Sequence, residues 1–279
     1  MLTRRAFIAT VSAAALLAAC SPQVADHRAE SSSRAAPIRV SGSGAVLPAV
    51  QKLGEAYSVK APGASLQYPA GTNSGGAIRG VVEGTLDVAA VNRPLSDAEA
   101  REAIVYVPFV RDAAAFAVHR SVSMKGLRTA QIRDIYSGKT TNWREVGGPD
   151  APVIVLDRDE DDSLRKLAML PLMAGAPIVP SATVLTSASD MLAAIDSTPG
   201  AIGYSSLGLL RLRAPKQAEV LALDEVLPSG QGVASGTYAW ALTFALVLRS
   251  DAPPTTRAFV EQAVASARGV LGPFDYAPV

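Results

Sequence analysis

Beyond residue 37 the chain alternates short apolar runs with stretches whose apolar residues recur every three to four positions, the pattern of strands alternating with amphipathic helices. The first run, 38–40, leads through Gly42-Ser43-Gly44 into a helical pattern over 49–57 with Val50, Leu53 and Tyr57 on one face. A strand-like run at 64–68 follows, then the turn Gly71-Thr72-Asn73-Ser74-Gly75-Gly76, a helix over 77–83 and a third run at 86–91. Strand, helix, strand, helix, strand in this order predicts a parallel sheet with helices on both faces and ligand chemistry at the C-terminal strand ends. The turns at 42–46 and 71–76 and the segment Val91-Asn92-Arg93-Pro94 then fall on one sheet edge.

Farther along, the continuous apolar runs 104–110 and 113–118 predict two strands, buried or crossing between lobes. A helix is expected over 129–137, with Thr129 as its N-cap and Gly138 at its end. The apolar strand 153–156 runs straight into Asp157-Arg158-Asp159-Glu160-Asp161-Asp162-Ser163 and a helix over 164–173, a second strand-to-helix turn assigned to a second lobe. A helix at 187–195, strands at 201–205 and 238–248, and a closing helix over 254–270 with Phe259, Val260, Ala263 and Val264 inward complete the pattern. A glycine-rich turn opening a helix leaves backbone N–H groups unpaired and pointing one way, which with the helix dipole makes a seat for an anion. The same turn also serves plain chain reversal, and at 71–76 alone both readings stand.

The first twenty residues read as an export signal: Arg4 and Arg5, an apolar run from 6 to 19 broken by Thr10 and Ser12, then Cys20. A run of that length falls short of the roughly 20 residues that span a bilayer. Leu17-Ala18-Ala19-Cys20 resembles a bacterial lipobox, which makes Cys20, the chain's single cysteine, the expected lipidation site. Thr3-Arg4-Arg5-Ala6-Phe7-Ile8 resembles a twin-arginine motif, and both that route and the general one lead out of the cytoplasm. Residues 21–37 are polar and aperiodic and read as a flexible tether.

The charge is nearly balanced: formally +1, and −1 once the leader takes Arg4 and Arg5 with it. That argues against a nucleic-acid partner, which calls for a basic excess or stripe. His27 lies in the tether and His119 stands alone at a strand end, so the histidines assemble neither a metal site nor a catalytic triad. No cofactor, no metal and no enzymatic activity are expected.

Five blocks in order, Ser43-Gly44-Ala45-Val46-Leu47-Pro48, residues 71–76, residues 87–96, residues 132–139 with Asn142-Trp143, and Pro199-Gly200-Ala201-Ile202-Gly203-Tyr204, together resemble the phosphate-binding proteins of ABC transporters. The resemblance covers nearly all of the chain beyond the tether. It implies an α/β, two-lobed periplasmic-binding-protein fold of type II, each lobe a mixed sheet flanked by helices. Lobe 1 would comprise 38–115 and 233–279, and lobe 2 would comprise 116–232. The two lobes would close on a small oxyanion, phosphate or an analogue. It further implies a monomeric periplasmic or cell-surface lipoprotein that delivers its ligand to a membrane permease.

Transferred residue by residue, the implied site departs from the family's pattern. Val46 stands where the family has a hydroxyl residue, and Leu47 beside it offers only its backbone N–H. The serine of the second loop falls on Asn73, followed by Ser74 and Gly75. The family's aspartate falls on Asn92, with Arg93 next to it as a further anion-binding candidate. Arg158 matches the arginine of the second lobe, and Asp162-Ser163-Leu164 replaces a Ser-Gly-Thr turn within an acidic run over 159–162. A carboxylate about 4 Å from a bound oxyanion opposes it by about 4 kcal/mol at an effective dielectric near 20. Two readings of the acidic run stand: its carboxylates cap the following helix, or Asp162 turns this half of the cleft toward a cation, an amine or a protein partner. Arg158 likewise reads either as a ligand contact or as a surface partner of Asp157 or Asp159. The alternative function is a divergent member that no longer captures phosphate and acts as a sensory or interaction module.

Overall fold

The computed structural model describes residues 36–279. The export signal, Cys20 and all but the last two residues of the tether lie outside that range. The first half of the fold opens with β1 (Ile38–Gly42), α1 (Leu47–Lys60), β2 (Leu66–Gln67), α2 (Ser74–Val82), β3 (Val88–Val91) and β4 (Ile104–His119). Then come β5 (Gly126–Leu127), α3 (Thr129–Tyr136), β6 (Ile154–Arg158), α4 (Leu170–Met173), β7 (Thr183–Leu185), α5 (Ala188–Ser197), β8 (Ala201–Ser206) and α6 (Leu207–Arg213). The chain closes with β9 (Ala218–Val220), β10 (Ala222–Leu223), α7 (Gly230–Ser235), β11 (Ala241–Arg249) and α8 (Pro254–Leu271).

Among the described residues the main sheet runs β2-β1-β3-β11-β4-β8-β6-β7, with β9 also paired to β4. Strand β1 is parallel to β2 and β3, β6 is parallel to β8 and β7, and β11 and β4 are the antiparallel seam between these blocks. The two apolar runs expected as separate strands are one 16-residue strand, β4. Its first part, through Ala113, pairs with β11; from Ala114 onward it pairs with β8. The polar pair Arg111-Asp112 reads as a break in sequence, yet it continues the pairing with β11, and the strand changes neighbours just beyond it, between Ala113 and Ala114. The returning chain lies alongside, since Ala114 N donates to Trp240 O at 2.8 Å and Tyr238 Oη donates to Ala114 O at 2.7 Å.

Several elements follow from local chemistry. Pro48 suits the first turn of α1, where its missing N–H is not needed, and α1 buries Leu47, Val50 and Leu53 while Tyr57 meets Phe259 of α8 edge-on at 5.3 Å. Helix α3 starts one residue earlier in function than expected. Arg128 occupies the cap position, and Thr129 is already helical, with N and Oγ1 both bonded to Asp224. The helix expected over 164–173 is a π-turn at Arg165–Met169 followed by α4, with Leu170 N bonded to Arg165 O. Pro171 explains the change: it lacks an N–H and its ring crowds the carbonyl four residues back, so the regular ladder gives way. The strand expected over 64–68 contracts to Leu66–Gln67.

Candidate functional site

The turn before α2 resolves into two different jobs. Asn73 faces solvent and caps the helix, its Oδ1 accepting Gly76 N at 2.8 Å. Ser74 is fully buried and turns inward: its hydroxyl donates to Asn92 Oδ1 at 2.9 Å. Asn92, just past β3, is itself buried, and its Nδ2 has no hydrogen-bond partner among the described residues. From the other block of the sheet Ser163 Oγ donates to Ser74 Oγ at 3.3 Å. A chain Ser163–Ser74–Asn92 therefore joins the two blocks and ends in an unsatisfied buried donor, an arrangement that costs about 1–3 kcal/mol until an acceptor arrives.

Two cavities meet this chain at Ser163 and share Asn73 as well. One, of about 410 Å³, is lined among others by Ser43, Gly44, Leu47, Arg158, Asp162 and Arg213. The other, of about 420 Å³, has Gly75, Arg79, Arg93, Asp161 and Lys166 in its walls. Val46 is fully buried, and the N–H groups of Val46 and Leu47 both bond Ser43 O at 2.9 Å. Those two amides are engaged within the turn, so Leu47 reaches the cavity as an apolar wall.

Arg93 is not an open cation. Its guanidinium forms a fork on Glu99, with Nη1 to Oε2 and Nη2 to Oε1 both at 2.7 Å. Those bonds, aided by Ser96 N, hold the Glu99 carboxyl down at about 2.

The turn after β6 is where the structure departs most from sequence expectation. Arg158 is only 9% exposed, and its partner is Asp162, at 3.0 Å, rather than Asp157 or Asp159. Its guanidinium is also tied to backbone: Nε donates to Leu185 O at 3.0 Å and Nη2 to Thr186 O at 3.2 Å. Asp157 instead accepts Tyr204 Oη at 2.6 Å and pairs with Arg165 at 3.0 Å. Asp162 takes the capping role, its Oδ1 accepting Arg165 N at 2.9 Å, and adds one that sequence did not suggest: its Oδ2 neutralises Arg158. Burial pushes the Asp162 carboxyl up, and Arg158 pulls it partly back. Of the rest of the acidic run, Asp159 makes an Asx turn to Asp161 N at 3.0 Å and Asp161 pairs with Lys166 at 3.0 Å.

Sequence reasoning passed over Ser43, Thr186, Ser187 and Arg213, all in the first cavity's wall. Ser187 carried a readable signal, a serine three residues ahead of Asp190, and it caps α5 through Asp190 N at 3.0 Å. Arg213, at the end of α6, carried none.

A mixed sheet flanked by helices, with polar turns from two parallel blocks meeting across a pair of cavities, defines the class of the ligand-binding α/β proteins. The chain belongs to the PBP superfamily: the family model described as PBP superfamily domain matches residues 27–266. The phosphate-binding protein PstS of Bacillus subtilis is 29% identical over 206 residues, a match spanning 72% of this chain and 66% of that protein's length. Among solved structures, the phosphate-bound putative phosphate ABC transporter substrate-binding protein of Clostridium perfringens superposes with a TM-score of 0.76 at 22% identity, over 88% of this chain and 100% of that one. An ABC-type phosphate transport receptor from Vibrio cholerae matches with a TM-score of 0.66 at 25% identity, over 87% of this chain and 100% of that one.

Proposed function

We propose that this chain is the extracytoplasmic solute-binding component of an ABC transporter and captures a small oxyanion, phosphate or a close analogue. The lobes would be 38–115 with 233–279 and 116–232, tethered to the membrane through a lipidated Cys20, with a membrane permease as the acceptor of the cargo. The observation that carries the reading is the chain Ser163–Ser74–Asn92, which ends in a buried donor, Asn92 Nδ2, with no acceptor among the described residues. An oxyanion oxygen supplies the missing acceptor without needing a matching cation. The names of the relatives agree with it. The test is calorimetric titration of the protein with phosphate, arsenate, sulfate and molybdate at low salt. Heat with phosphate, and a loss of at least tenfold in affinity in Arg158→Ala, are the expected outcomes. Absence of heat and of any thermal shift with all four anions would sink the reading. It would promote the competing one, a sensory or interaction module without phosphate capture, which draws on the neutralisation of Arg158 by Asp162.

A further inference from the structure

The pair Arg158–Asp162 sets a condition on how the proposed oxyanion site works. Arg158 is held in place by Leu185 O and Thr186 O as well as by Asp162, so its position does not depend on the carboxylate. Its charge does. With Asp162 ionised the guanidinium is cancelled at 3.0 Å, and both partners are nearly enclosed, with side-chain exposures of 10% and 12%. An oxyanion entering beside Arg158 would meet a carboxylate in a poorly solvated wall, where like charges repel strongly. Asp162 has no room to relieve this by pairing elsewhere, because Oδ1 is engaged by Arg165 N.

Resting on the oxyanion reading above, we infer that Asp162 is the resident counter-anion of Arg158 and that capture of an oxyanion is coupled to uptake of one proton by its carboxyl. The proton leaves Asp162 neutral, keeps its Oδ1 on Arg165 N and hands the positive charge of Arg158 to the ligand. No bond other than this O–H is made or broken. Burial raises the carboxyl's proton affinity already before ligand enters.

The other charged groups do not supply an equivalent switch. On the same turn, Asp159 lines the cavity, Asp161 is paired with Lys166, and Arg165 is paired with Asp157. From α6, Arg213 adds one positive charge to the wall. The α1 end, the turn before α2 and the start of α5 present Ser43, Gln51, Thr72, Asn73, Ser187 and Ser189, none of them ionisable near neutrality.

The experiment compares the wild-type chain with Asp162→Asn, which keeps the capping oxygen and removes the charge. Phosphate is titrated by calorimetry from about pH 5 to about pH 8, and at the upper end in buffers of different ionisation heat; the count covers ligand and protein together, so the proton taken up by wild type in excess of Asp162→Asn is the one that belongs to Asp162. The expected wild-type result is uptake of close to one proton and an affinity that falls about tenfold per pH unit above the carboxyl's titration, relative to the variant. Asp162→Asn should take up none, bind more tightly than wild type at the alkaline end, and converge with it at the acid end. The same pH profile and proton count in both proteins would overturn the coupling while leaving oxyanion capture intact. The wild-type proton count decides even if the variant folds poorly: no uptake at about pH 8 overturns the inference. Failure of both proteins to bind phosphate, arsenate, sulfate or molybdate at any pH would instead remove the oxyanion reading itself.

Discussion

Asp112 offers a stability measurement with a definite sign. It sits in the middle of β4, fully buried, and stands in for a helix cap: Oδ1 accepts Ala113 N at 2.7 Å and Gly208 N at 3.0 Å, so it tops the start of α6. Burial pushes this carboxyl up to about 7, with the bonds from Gly208, Ser206 and Ala113 resisting. The unfolded chain titrates the same group near 4. Between those values the folded protein holds a proton that the unfolded chain has released, so the contribution is fully present below about pH 4 and is lost as pH rises through about 7. A displacement of about 3 pH units corresponds to on the order of 4 kcal/mol. Asp112→Asn removes the titration and keeps one acceptor oxygen for Ala113 and Gly208. Its loss of the second acceptor offsets the gain by about 1 kcal/mol. The variant should therefore be more stable than wild type by about 3 kcal/mol at pH 8, or on the order of 10 °C in Tm for a domain of this size, and less stable by about 1 kcal/mol near pH 4, where only the lost acceptor counts. Guanidinium melts of both proteins across this range provide the check. Comparing the two curves isolates Asp112 from Asp162, which titrates in the same sense, and from Glu99, whose contribution is lost only on acidification toward about 2. Parallel pH curves for wild type and variant, or a variant less stable at pH 8, would refute the reasoning.

Two further substitutions probe the same framework. Gly208→Ala would place a Cβ 2.1 Å from the ring of Tyr276, whose neighbour Ala277 exchanges backbone bonds with Arg111, so denaturant melts should show a loss of about 3 kcal/mol. Ser74→Ala strips Asn92 Oδ1 of its donor and breaks the link to Ser163; a stability loss of about 1–3 kcal/mol in melts should accompany weaker phosphate binding in calorimetry.

How far the sequence carried depends on the range of the interaction involved. Helices α1 and α8 and the strands around Val40, Val91 and Ile202 were legible because their signals, a proline in the first turn, three-to-four spacing and short apolar runs, are local. The start of α2 was less legible: the helix was expected from 77 and begins at Ser74, with Asn73 as its cap, and the inward turn of Ser74 rests on Asn92, 18 residues away. The ion-pair partner of Arg158, expected as Asp157 or Asp159, was missed for a related reason. Five neighbouring carboxylates compete for it on paper, and only the helical turn set by Arg165 N brings Asp162 within 3.0 Å while Tyr204 and Arg165 claim Asp157. The least legible feature was the crossing strand. Arg111-Asp112 interrupts an apolar run, and polarity at that point ordinarily marks a turn. Here the buried strand stays extended because each polar group finds a partner from a distant part of the chain: the Arg111 backbone pairs with Ala277 and the Asp112 carboxylate with the start of α6. That pairing involves the C-terminal segment and α6, both distant in sequence, so the place where β4 passes from β11 to β8 is specified by long-range contacts, and a local pattern reads it as a gap.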